Sequence, residues 1–138
     1  MAGAATMNPS ETFKRVINGD DRLVDPHAQE WEKIYSLFMH LSLLVHGAFP
    51  IVIPAVVMWL IKRDKSPFVD DHGREAINFQ ISLIIYNLAA GVFGFVTCGI
   101  GWFMFAPIYI LGLVGITLAS IAAGKGQFYR YPMNIRFL

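Results

Sequence analysis

Three stretches of this chain, residues 36–61, 77–98 and 100–123, contain not one Lys, Arg, Asp or Glu. A helix needs about 20 consecutive apolar residues to cross roughly 30 Å of hydrocarbon, so each block is long enough for a membrane span. The chain therefore reads as an all-α integral membrane protein, with the lipid bilayer as its first partner. The overall balance agrees: 55% hydrophobic residues, 15% charged and a mean hydropathy of +0.49 lie outside the soluble range. A net charge of +1 gives no reason to expect nucleic acid. The lone Cys98 excludes an intrachain disulfide.

The first 33 residues hold six acids and four bases but no apolar run that would serve as a signal-peptide core, so the first block must direct insertion. Two parts follow: a polar tail over residues 1–30 and a small polytopic membrane domain over 31–138. Within the tail, Ser10 can cap a short amphipathic helix that shows Phe13, Val16 and Ile17 on one stripe and ends at Asn18-Gly19. Phe13 and Ile17 would rest on the membrane surface or a partner. Asp25-Pro26 reads as a second helix start, after which Trp31 and Tyr35 suit the headgroup belt.

The first block is interrupted by Gly47, Pro50 and Pro54, and each interior proline deletes a backbone hydrogen bond. Two topologies follow: one tilted, kinked span, or a re-entrant hairpin that descends to Gly47 and returns from Ile51 to Arg63. Basic residues are retained on the cytoplasmic side. The hairpin puts all eleven Lys and Arg on one face and leaves only the uncharged residues 97–101 outside, so it is favoured, with both termini cytoplasmic.

The segment 62–71 reads as a short loop broken at Ser66-Pro67, with Asp70 or Asp71 capping the next helix. That helix carries Asn78, Gln80, Ser82 and Asn87 into apolar sequence, and such side chains are expected to hydrogen-bond a neighbouring helix. Asn78 and Ser82 share one face, Gln80 and Asn87 another. Gly91 and Gly94 in the second block, with Gly112 and Gly115 in the third, allow close helix approach, so these two spans are expected to pair antiparallel. Pro107 is expected to kink the third.

Two motifs carry a family resemblance. The run Trp59-Leu60-Ile61-Lys62-Arg63-Asp64-Lys65-Ser66-Pro67-Phe68-Val69-Asp70-Asp71-His72-Gly73-Arg74-Glu75-Ala76-Ile77-Asn78-Phe79-Gln80 is followed by Gly124-Lys125-Gly126-Gln127-Phe128-Tyr129-Arg130-Tyr131-Pro132 and Ile135-Arg136-Phe137. Together, across residues 31–138, they resemble the small bacterial membrane proteins grouped as domain of unknown function forty-eight seventy, related to the chloroplast import component Tic-twenty. The resemblance implies four membrane helices with both ends on one side, and by analogy a channel or protein-translocation role.

Past the last block, Gly124, Lys125 and Gly126 can end the helix, lysine complementing its negative end. Phe128, Tyr129, Arg130 and Tyr131 then form an aromatic and basic cluster suited to the headgroup layer or to a partner subunit, as Trp31 and Lys125 are. His40 and His46 lie in apolar sequence, where imidazole can ligate haem or chlorophyll. Six residues apart, they point about 120° away from each other on a helix and do not form one site. Hydrogen bonding to a neighbouring helix is the expected state of each.

No pair of intramembrane carboxylates, no helical metal-ligand spacing and no phosphate loop appears, so no enzyme, metal or cofactor is expected. The sequence reading is a bent or re-entrant first hairpin, two antiparallel spans and a short amphipathic amino-terminal helix. Functionally it is a non-enzymatic accessory or scaffold subunit of a larger membrane complex in the bacterial cytoplasmic membrane. The alternatives are a translocation component and, third, a pigment- or haem-contacting subunit.

Overall fold

Gln29 opens the first helix of the computed structural model, which describes residues 23–47 and 52–138 and the side chains of all of these but 45–47. The expected helix at 10–19 with Phe13 and Ile17, the His46 side chain and Pro50 lie outside the described residues. Helix α1, Glu30–Leu41, begins where the Glu32 carboxylate accepts the Gln29 N–H. This corrects the start expected at Asp25-Pro26, because Asp25 instead closes a tight turn by accepting the His27 N–H at 2.9 Å. A 3₁₀ segment, Ser42–Gly47, continues α1. Helix α2, Ile53–Lys62, then runs back beside it.

The antiparallel pairing of α1 and α2 is read from two contacts. The Tyr35 hydroxyl donates to the Met58 carbonyl at 2.7 Å, and Lys62 lies 5.3 Å from the centre of the Trp31 ring. With 12 and 10 residues, each helix reaches about 15–18 Å, half of a bilayer's hydrocarbon depth.

Helix α3, Pro67–Val96, starts earlier than expected. Ser66 accepts the Val69 N–H at 3.2 Å and Pro67 occupies the first helical position, where its missing N–H costs nothing. Ser66-Pro67 is thus a helix start, not a loop, which corrects the cap assigned to Asp70 or Asp71. Asp70 instead accepts the Trp59 indole N–H at 2.8 Å and pairs with Arg74 at 2.9 Å. The indole packs so closely on Gly73 that an added Cβ would sit 2.2 Å from Trp59 Cδ1, which fixes α2 against α3.

A turn through Gly99, at φ +104°, and a 3₁₀ segment, Ile100–Met104, lead into helix α4, Phe105–Gly124. The joint is locked: the Thr97 hydroxyl accepts the Gly101 N–H at 2.8 Å, and a Cβ on Gly101 would meet the Gly94 backbone nitrogen at 2.6 Å. Pro107, expected to kink the third span, falls in the first turn of α4, where amide hydrogens have no partner within that helix. Gly112 faces Leu83 and Gly115 faces Phe79, a register that makes α3 and α4 antiparallel. Among the described residues the most extensive helix contact is α1 on α4.

The segments Pro67–Val96 and Ile100–Gly124 are long and apolar enough to cross a membrane, yet only 33% and 28% of their most apolar windows are buried inside the molecule. Core helices of a water-soluble protein would be mostly covered. Phe95, Val96, Ile100 and Phe103 face outward, a surface that suits hydrocarbon as solvent. The described residues are all-helical apart from an isolated bridge, Val24 to Gln127. Beyond it, residues 128–138 form neither helix nor strand, turn at 132–133 and lie on α3.

Candidate functional site: a polar core closed by the carboxyl-terminal tail

Glu75, Asn78, Ser82 and Tyr86 recur three or four residues apart on α3 and form one stripe. That stripe holds the tail, not another helix. Asn78 Oδ1 accepts the Phe137 and Leu138 N–H groups at 3.0 and 3.1 Å, and its amide donates to the Leu138 carbonyl at 3.3 Å. Ser82 Oγ accepts the Ile135 N–H at 2.9 Å, and the Tyr86 hydroxyl donates to the Met133 carbonyl. Met133, at φ +57°, makes the bend that turns the tail back along α3.

Above the stripe, His40 from α1, His72 from α3 and Tyr131 from the tail form a buried chain. Tyr131 Oη lies 2.8 Å from His40 Nδ1, His40 Nε2 lies 2.8 Å from His72 Nδ1, and His72 Nε2 lies 3.1 Å from the Gln127 carbonyl. The protons follow from valence. A carbonyl only accepts, so His72 Nε2 carries hydrogen; a neutral His72 must then accept at Nδ1 from His40 Nε2–H, and Tyr131 must donate to His40 Nδ1. With both rings neutral, every ring nitrogen is used. Both histidines are fully buried, and Tyr131 stacks on Phe79 at 3.8 Å between centroids, against Gly115 of α4. Burial, with Tyr129 and Glu75 close by, holds the Tyr131 phenol well above its ordinary range, so it remains a donor.

At the rim, Glu75 accepts from Asn134 Nδ2 at 3.0 Å and from the Tyr131 N–H at 3.4 Å, with Arg136 at 3.3 Å and Arg130 at 3.7 Å. Arg130 grips both Asp71 oxygens, at 2.6 and 2.7 Å, which raises its pKa. The charged end of the molecule thus tethers the tail before it turns into the apolar layer.

The structure distributes the sequence's candidates unevenly. Tyr129 and Tyr131 turn inward, 6% and 4% exposed, which corrects their assignment to the headgroup layer: the ring stacked on Phe79 and the hydroxyl matched to His40 hold Tyr131 inside. Arg130 and Lys125 are exposed, and Phe128 is half-buried against Phe68. Trp31 lies at the charged end beside Lys62. Asn87 donates within its own helix to the Leu83 carbonyl at 2.7 Å, and Gln80 is fully buried. Gly94 lies under the Trp102 indole, while Gly91 has no side-chain neighbour within 4 Å of an added Cβ. His40, a candidate haem or chlorophyll ligand, has both nitrogens engaged. Among the described residues no group of three or more His, Cys, Asp or Glu is placed to hold a metal ion. An apolar groove of about 240 Å³ opens between Leu43, Leu83, Gly112 and Ile116.

Sequence reasoning missed the relay because its members lie 32 and 91 residues apart. The tail-holding stripe was visible in outline as the shared face of Asn78 and Ser82.

Fold and site together define a small helical protein with two helices of membrane-crossing length and a polar core sealed by its own tail. The chain belongs to the magnetosome magnetite crystal formation protein family, MamF/MmsF, whose family model matches residues 31–138. This match overturns the resemblance to domain of unknown function forty-eight seventy and Tic-twenty, and the translocation role that rested on it. No curated protein and no solved structure matches the chain.

Proposed function

We propose that this protein is a non-enzymatic accessory of magnetite crystal formation that works inside a bacterial membrane as a subunit of a larger assembly. In this reading α1 and α2 form a re-entrant hairpin, α3 and α4 span the bilayer, and the charged end with both termini faces the cytoplasm. The charge distribution carries the reading. Every Lys, Arg, Asp and Glu among the described residues belongs to the end that holds the start of α1, the α2–α3 corner and the tail, while the opposite joint, 97–104, has none. Iron at an oxide face is a hard cation that takes carboxylate and other oxygen ligands. The joint 97–104 carries no carboxylate and presents Ile100, Trp102 and Phe103, which favours action on membrane partners over action on the crystal face.

Deleting the chain from its magnetite-forming host and restoring it with an affinity tag tests this. Smaller or misshapen crystals on deletion, with stoichiometric membrane proteins recovered on the tag, are expected. Unchanged crystals, or a chain recovered alone, would overturn it.

A further inference from the structure

We propose that the Tyr131–His40–His72 chain is an acid-sensitive latch on the carboxyl-terminal tail: uptake of one proton reverses its hydrogen bonds and frees residues 129–138 from α3. This inference stands on the geometry of the site and is independent of the functional reading above.

The reversal follows from proton positions. In the neutral chain all donors point from Tyr131 toward the Gln127 carbonyl. A proton added to His72 Nδ1 turns that nitrogen into a donor to His40 Nε2. His40 then carries its hydrogen on Nδ1 and donates to the Tyr131 oxygen. The tyrosine hydrogen must leave its acceptor, inside a site where the residue is 4% exposed. A buried hydroxyl without an acceptor, beside a buried cation, is the costly arrangement. A second proton would set N–H against N–H across the 2.8 Å between the two rings.

The surroundings do not neutralise this charge. On α3, Asp71 precedes His72 in sequence, but Arg130 of the tail already occupies both Asp71 oxygens. Glu75 is engaged by Asn134, Arg136 and Arg130, Tyr129 of the tail packs edge-on against Tyr131, and α4 has no charged residue. The charges of α1, Glu30, Glu32 and Lys33, sit on its first turn. What yields is the tail, the element with no helix of its own. Its ring wedge at Gly115 and Phe79 withdraws, and the stripe loses its occupant.

The test uses a nitroxide label on Ile135→Cys in a Cys98→Ser chain, reconstituted in phosphatidylcholine vesicles and followed by electron paramagnetic resonance from about pH 8 to about pH 4.5, across histidine's titration. A restrained label at the alkaline end is expected, with the docked-to-free ratio falling about tenfold per pH unit once release begins, the slope for one proton. In His72→Gln and in Tyr131→Phe, which keeps the ring wedge, the pH dependence should vanish. In Glu75→Gln it should persist. A label restrained throughout, a transition that survives either relay substitution, or one abolished by Glu75→Gln would each overturn the latch.

Discussion

Replacing Glu75 separates two ways in which a buried carboxylate can hold a tail. Its side chain is 7% exposed, but Arg130 and Arg136 are 49% and 58% exposed. If Glu75 is lost, both guanidinium groups turn to water, so the penalty of about 3–5 kcal/mol for stranding a buried charge does not apply. The screened ion pairs contribute under about 1 kcal/mol. The hydrogen bonds from Asn134 and the Tyr131 N–H contribute about 1 kcal/mol each. Glu75→Leu should therefore cost about 2–3 kcal/mol, and Glu75→Gln, whose carbonyl oxygen still accepts, about 1 kcal/mol. Loss of helicity during SDS titration in mixed micelles, at low and high salt, measures both. Glu75→Gln proving as costly as Glu75→Leu, or a wild-type stability that collapses with salt, would show that charge and not hydrogen bonding fixes the tail.

Gly101→Ala drives a methyl into the Gly94 backbone and should cost about 1–3 kcal/mol by the same titration. Gly91→Ala, with open space around it, should be neutral or gain up to about 1 kcal/mol from helix propensity. Ser66→Ala removes the cap of α3 and should cost about 0.5–2 kcal/mol, visible as faster hydrogen exchange at Val69. The raised Tyr131 pKa contributes stability that is full below about pH 10, the unfolded value, and is lost as pH climbs toward the folded one. An ultraviolet titration should accordingly find one phenol silent until the chain unfolds, and Tyr131→Phe should remove that late step.

The second and third apolar blocks were legible as long helices because membrane thickness acts through local composition. The helix starts were less so: Asp25 and Asp70 are good caps by type, but Asp25 closes its own turn and Asp70 serves Trp59, while Gln29 and Ser66 take the ends. The destination of Asn78 and Ser82 was hidden for another reason. A polar stripe announces that something must cover it, and in a membrane the usual cover is another helix. Here the cover is irregular chain from 52 to 60 residues further on, which has no periodicity to betray it.

That separation also sets a schedule. Ser82 and its partner Asn134 are 52 residues apart, so during synthesis at about 5–20 residues per second the α3 stripe is made about 3–10 seconds before the segment that covers it. During that interval Asn78, Ser82 and Tyr86 meet lipid, the insertion machinery or another protein. The stripe is thus a transient recognition surface in biogenesis, and any carboxyl-terminal fusion that slows the tail's return prolongs its exposure.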